Sequence, residues 1–231
     1  MSTALILGAT GATGKHLLRE LLSHNEWSKK PTFHRTEANS NRKTIDFENL
    51  EVAGLKDGRW DVVFVTLGTT RARAGSAEMF EKIDREYVVN ACKAAKTDDP
   101  THKQRVVYLS SGAANPSSSF MYMRSKGLTE LDIARLGYAD TIVFRPAVFK
   151  GAERADKRLA ETILGYVTGL MSHFTSHAEI HVAVLAKAIM KAGILGSSGL
   201  SPTVGATIAG EEGVRFTVIG NKGALDLGQG A

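Results

Sequence analysis

Short apolar runs alternate along this chain with longer stretches of helical, amphipathic spacing. Ala4–Leu7 is apolar and strand-like, and an amphipathic helix is expected from about Ala12 to Ser23. Short strands are expected near Thr32–His34 and Thr44–Phe47. Val62–Leu67 (VVFVTL) is continuously apolar, as in a strand covered on both faces. A long helix over roughly Ser76–Lys96 follows, then a strand at Arg105–Leu109 and a polar loop at Ser110–Ser119. A helix from about Tyr122 to Leu136 leads to a strand at Thr141–Phe144, closed by Arg145-Pro146. Strands alternating with helices imply a parallel sheet with helices on both faces. Beyond Pro146 the alternation weakens. Helices are expected over Ala155–Leu170 and Val182–Ala192, a Gly-, Ser- and Thr-rich loop over Gly196–Gly213, and a last short strand over Val214–Ile219.

Between the first strand and the first helix lie Gly8, Gly11 and Gly14, three residues apart, with Thr10, Ala12 and Thr13 among them. A dinucleotide pyrophosphate needs this spacing: one glycine for a tight turn, one for close approach of the backbone, one for packing of helix on strand. The helix N-terminus adds free N–H groups and a positive dipole end. The expected fold class is therefore α/β, a Rossmann-like doubly wound parallel sheet. The whole chain, 1–231, is expected to be one domain: about 1–150 a cofactor-binding core and about 151–231 a small substrate-side cap.

Composition narrows the picture. With 231 residues and 43% hydrophobic content, one substantial core is expected. No apolar run reads as transmembrane, and the single Cys92 allows no internal disulfide. The formal charge of +5 is mild and scattered, which suits an anionic cofactor or peripheral contact with an acidic membrane and argues against nucleic acid. Because the first strand begins near Thr3, a cleavable presequence would remove the glycine loop, so none is expected.

The place where NAD-binding chains carry an acid for the ribose 2′-hydroxyl holds His34-Arg35-Thr36 here. A cation there suits a 2′-phosphate. NADP(H) is favoured with Arg35 as the contact, and NAD(H) is the alternative. Asp46 is a candidate for the adenine amino group or a turn residue. Leu67, Gly68 and Thr69 sit where a strand end would meet the cofactor. Pro146 closes a later strand, and the backbone groups of Ala147 and Val148 are candidates for the nicotinamide carboxamide.

Tyr122 and Lys126, four apart on a helix, share a face. An ammonium beside a phenol lowers the phenol's pKa toward working pH and suits it to proton exchange with a carbonyl or alcohol. Ser110 or Ser111, at the preceding strand end, supplies a hydroxyl for the reacting oxygen. His173, His177 and His181 are four apart but have no carboxylate or cysteine support beyond Glu179, and no metal site is expected.

These residues together resemble the short-chain dehydrogenase/reductase superfamily, and more closely its atypical branch of the human Tat-interacting oxidoreductase and the fungal FMP-type mitochondrial outer-membrane proteins. The resemblance is carried by Ile45-Asp46-Phe47-Glu48, LGTTRARAG at Leu67–Gly75, Lys82-Ile83-Asp84-Arg85, LSSGAA at Leu109, FMYMRSK at Phe120–Lys126, FRPAVF at Phe144 and NKGALDLG from Asn221. It implies NADP(H) binding and a Ser-Tyr-Lys set of Ser111, Tyr122 and Lys126, with Lys126 also on the ribose. It further implies peripheral residence on the cytoplasmic side of the mitochondrial outer membrane. Thr36, after Arg35, departs from the branch's basic pair.

Three functions follow. The first is NADP(H)-dependent reduction or oxidation of a small carbonyl or alcohol substrate. The second is an NADPH-sensing protein that binds a protein partner with little turnover. The third, weaker, is redox-neutral isomerisation or epimerisation. Monomer and homodimer are both compatible with the long helix near Ser76–Lys96.

Overall fold

The computed structural model describes residues 2–24, 27–29, 43–150 and 179–230, with the backbone alone for 27–29 and 148–150. Among these, seven strands form one sheet: β1 (Ser2–Leu7), β2 (Trp27–Lys29), β3 (Val62–Val65), β4 (Arg105–Leu109), β5 (Asp140–Arg145), β8 (Thr207–Glu211) and β9 (Val214–Gly220). Their order is β2-β1-β3-β4-β5-β9-β8, parallel except for β8, which is antiparallel to β9. A separate parallel pair joins β6 (Val148–Lys150) to β7 (Glu179–His181). The chain reverses its direction of travel across the sheet beside β1. That reversal opens a crevice at the carboxyl ends of β1 and β3, the place where such sheets bind ligands.

Residues of alternate parity divide the core. Ala4, Ile6, Val62, Phe64, Ile142 and Phe144 face one side, with α1 (Ala12–Ser23), α6 (Val182–Gly199) and α7 (Asn221–Gln229) packed on them. Leu5, Leu7, Val63, Val65, Tyr108 and Val143 face the other, under α4 (Tyr87–Ala95) and α5 (Met121–Arg135). Aliphatic residues on both faces explain why the strands read as unbroken apolar runs. Among the described residues α6 alone has the length and composition to cross a membrane (mean hydropathy 1.3), and half of it is buried inside the protein. Its Gly193 lets it lie close on the sheet: a Cβ there would sit 2.3 Å from the Phe64 ring.

The expected long helix is a run of three parts: α3 (Ala77–Glu81), a π-turn (Lys82–Glu86) and α4. Ser76 caps its start by accepting the Met79 N–H at 3.1 Å. A four-residue helix, α2 (Arg71–Ala74), precedes it, capped by Thr70.

Several expectations change. Thr44–Phe47 is not a strand. Ile45 is buried and Phe47 stacks on Tyr87 at 5.1 Å, so the period-two pattern anchors a coil rather than a ladder. β2 lies at Trp27–Lys29, ahead of the expected Thr32–His34, which fall outside the described residues. The expected loop Gly196–Gly213 instead holds the end of α6, kinked at Gly196, a 3₁₀ turn at Pro202–Val204 and β8. Of the stretch expected as a substrate-side cap, 151–178 lies outside the described residues, while 179–230 supplies β8 and β9 to the main sheet and two covering helices.

Candidate active site

The three glycines do separate jobs. Gly8 has φ +92°, a left-handed conformation that favours glycine, and a Cβ there would sit 2.6 Å from the Leu67 backbone nitrogen. Gly14 presses α1 onto the turn: a Cβ would lie 2.1 Å from the Gly8 carbonyl oxygen. Gly11 has room, with nothing nearer than 3.4 Å, and donates its N–H to Gly8 at 3.1 Å. It caps α1 without a side chain, so the loop presents backbone and the positive helix end. Thr10 and Gly11 are exposed, Ala12 half-buried and Thr13 buried. Across the crevice the Thr66 hydroxyl lies 3.1 Å from the Gly8 carbonyl, tying the end of β3 to the turn. A cradle that Cβ atoms would fill fits an NAD(P) pyrophosphate.

One residue joins this cradle to the other half of the site. Gly68, just past β3, is exposed, and a Cβ on it would lie 3.0 Å from Asp84 Oδ1 and 3.5 Å from Lys126 Nζ. Asp84 comes from the π-turn and is fully buried. Its Oδ1 accepts the Thr69 N–H at 3.1 Å and Lys126 Nζ at 3.1 Å, and its Oδ2 lies 3.0 Å from the same Nζ. Lys126 also donates to the Tyr108 hydroxyl at 3.2 Å. Burial works against the Lys126 ammonium, yet Asp84 and the Tyr108 and Tyr122 oxygens outweigh it and hold the group above the usual lysine value.

Tyr122 is half-buried one turn before Lys126, its ring 6.1 Å from that of Phe80. Burial raises its phenol above the ordinary value; Lys126 and a hydrogen bond with Ser111 pull it down, and Asp84 pushes it up. The net direction is upward. The lysine four residues away does pull the phenol down as expected, but burial, the largest effect, outweighs it, and Asp84 adds to burial.

The two serines part company. Ser110 donates to Glu130 Oε1 at 2.5 Å, and Glu130, buried on α5, also takes two hydrogen bonds from Arg145 at the end of β5. This cluster fastens β4, α5 and β5 together where they reach the crevice. Ser111 is left on the Tyr122 side.

The remaining expected contacts are mixed. Asp46 is exposed and accepts the Glu48 N–H at 3.0 Å, so it makes the turn that the sequence offered as its alternative role. Leu67 and Thr69 are half-buried beside the crevice. Pro146 is buried and its carbonyl accepts the Gly112 N–H at 2.8 Å. The Ala147 N–H donates to Asn221 Oδ1 at 3.1 Å. Val148 begins β6, opposite Glu179. Arg35, His173 and His177 lie outside the described residues, and His181 caps α6 through Nδ1, which accepts the Ala183 N–H at 3.3 Å. Asp84, Tyr108 and Glu130 were not singled out for a role from sequence. Asp84 and Glu130 did carry a signal: each is a carboxylate on the buried stripe of its helix, Asp84 four residues from both Phe80 and Val88.

Comparison with known proteins bears on this geometry. The NAD dependent epimerase/dehydratase family model matches residues 4–163. Protein HTATIP2 of Rattus norvegicus is 35% identical over 197 residues, covering 81% of this chain and 79% of its own. Protein FMP52, mitochondrial, of Candida albicans is 36% identical over 172 residues, covering 71% of this chain and 73% of its own. Among solved structures, the YIR035C short-chain dehydrogenase/reductase of Saccharomyces cerevisiae superposes with a TM-score of 0.64 at 15% identity, over 96% of each chain. The chain belongs to the NAD-dependent epimerase/dehydratase family, with the rat and fungal proteins among its relatives, and has the fold of the short-chain dehydrogenases.

Proposed function

We propose that this protein is an NADP(H)-dependent oxidoreductase that interconverts a small carbonyl compound and its alcohol through Ser111, Tyr122 and Lys126. The observation that supports the reading is that Lys126 Nζ lies 3.5 Å from where a Cβ on Gly68 would be, next to the Leu67 backbone that meets Gly8, while Tyr122 interacts with both Ser111 and Lys126. Gly8, Thr10, Gly11, Ala12, Thr13 and Gly14 would hold the pyrophosphate, and Leu67, Gly68, Thr69, Pro146 and Val148 would border the rest. A bound nicotinamide would supply or accept the hydride at the substrate carbon. Tyr122 gives its proton to the carbonyl oxygen and regains one from solvent. Ser111 holds that oxygen, and Lys126 fixes the phenol's surroundings and the ribose.

Arg35 is the reason to favour NADP(H): in the sequence a cation occupies the position at which NAD(H)-selecting chains carry an acid. Replacing Tyr122 with Phe is expected to lower carbonyl-dependent NADPH oxidation about 10²- to 10⁴-fold with cofactor affinity kept. Full turnover of Tyr122→Phe across a carbonyl panel ends the reading. Arg35→Ala is expected to weaken NADPH about tenfold and leave NADH unchanged; equal losses remove the 2′-phosphate assignment. The family's description favours a second reading, redox-neutral chemistry on a retained cofactor. It predicts turnover without net NADPH consumption. The mitochondrial designation of the Candida albicans relative supports mitochondrial residence, and fractionation of the tagged chain tests it.

A further inference from the structure

The feature that the proposed chemistry does not use is the buried carboxylate facing Lys126. We propose that Asp84 is a positioning residue that clamps Lys126 and, by compensating its charge, keeps Tyr122 in its proton-donating form, biasing the site toward carbonyl reduction. The inference rests on the assignment of Tyr122 as the proton donor.

The geometry supports a dedicated clamp. Both carboxylate oxygens of Asp84 lie within 3.1 Å of Lys126 Nζ, and the Thr69 N–H fixes Oδ1 from the loop after β3. Asp84 is 0% exposed and Lys126 6%, so little water screens the pair. Asp84 also sits within a π-turn, a distortion frequent at functional sites. A side chain at 68 would crowd the pair, and glycine occupies that position.

The charged and titratable groups around the ammonium are few. Asp84 faces it from the π-turn, Tyr108 from β4 and Tyr122 from its own helix. Glu130, one turn further along α5, acts on Tyr108 and is engaged by Arg145 and Ser110. Arg85, the neighbour of Asp84, points elsewhere and pairs with Glu81 and Asp132. Asp84 is therefore the carboxylate in contact with Lys126. With it in place, the positive potential that Lys126 offers a Tyr122 phenolate is reduced, beyond the rise that burial imposes. A phenol that holds its proton serves reduction at neutral pH. Alcohol oxidation, which needs the phenolate as base, is confined to alkaline solution.

Asp84→Asn keeps an acceptor for the Thr69 N–H and removes the charge. The test is an ultraviolet difference titration of tyrosinate. Tyr122 is read as the wild type minus Tyr122→Phe, and as Asp84→Asn minus Asp84→Asn/Tyr122→Phe, beside the pH profile of alcohol oxidation. The midpoint for Tyr122 is expected to fall by about one pH unit or more in Asp84→Asn, with the onset of oxidation moving by the same amount. A midpoint that does not move overturns the proposal. If Asp84→Asn does not fold, Asp84→Ser is read in the same way: a Tyr122 midpoint that falls supports the clamp and one that does not move overturns it, as does ionisation of the wild-type Tyr122 below the ordinary phenol value of about 10. Full turnover by Tyr122→Phe would instead end the oxidoreductase reading, and the spectroscopic shift would still report whether Asp84 governs the charge felt by Tyr122.

Discussion

Two carboxylates, Asp84 and Glu130, are both wholly buried beside α5, and they meet opposite kinds of cation. Glu130 holds Arg145 through two hydrogen bonds and takes a third from Ser110. A guanidinium keeps its proton under all ordinary conditions and fixes a carboxylate in a planar fork. Asp84 holds Lys126, a point charge without preferred orientation; Oδ2 lies 3.0 Å from Nζ yet makes no bond of hydrogen-bond geometry. The Glu130 cluster is saturated and joins three elements. The Asp84 pair is less constrained and adjoins the group proposed to move a proton. Similar burial therefore serves two ends: one pair secures the framework, the other sets the charge in the crevice.

Glu130→Ala should give the largest effect on stability. It strands a half-buried guanidinium and a buried hydroxyl, and about 3 kcal/mol of unfolding free energy should be lost in urea titrations. A loss under about 1 kcal/mol would erase the contrast between the two regions. Asp84→Asn should cost somewhat less, about 2–3 kcal/mol: it strands the buried Lys126 ammonium, but the carboxamide keeps an acceptor for the Thr69 N–H and a polar neighbour for Nζ. Ser110→Ala should cost about 1 kcal/mol and leave kcat near the wild type, whereas Ser111→Ala should leave stability within about 0.5 kcal/mol and slow turnover. The reverse pattern would exchange the two serines' roles.

The smallest expected effect is a flat line. The folded-state value of Lys126 lies above the unfolded one, so the stability it contributes is full below the ordinary lysine range and is lost only as pH climbs through the folded value. The contribution of Lys126 to wild-type stability should therefore stay constant from about pH 6 to 9. In more alkaline solution the unfolded chain releases its tyrosine protons first, because burial raises Tyr108, Tyr122 and Tyr138 in the folded state. Overall stability should then fall with pH, as measured by denaturant midpoints at stepped pH.

What could be read from sequence was local. The glycine cradle is a matter of spacing between one strand and one helix, and α1 lies where the pattern places it, at Ala12–Ser23. Tyr122 and Lys126 share one helix, so their common face was legible too. Asp84 and Tyr108 reach Lys126 from 42 and 18 residues away, and no local periodicity encodes that meeting. β8 was hidden because it is an edge strand exposed along most of its length, with no alternation to detect. α7 was hidden by its glycines, which look like breakers. Gly223 and Gly228 in fact permit close packing, since Cβ atoms there would sit 2.2 Å from the Val204 carbonyl and 2.3 Å from that of Val184.

The π-turn at Lys82–Glu86 has a consequence for how this site can evolve. It is an α-helix carrying one surplus residue. Removing a single codon there would restore the regular helix and rotate the segment before it by about 100° relative to α4. The carboxylate of Asp84 would swing off Lys126 while the apolar seam of α4 stayed in register with the sheet. Lineages could thus acquire or discard the acid by changing length rather than by substituting a residue, and an indel in this helix would redirect the chemistry without rebuilding the core.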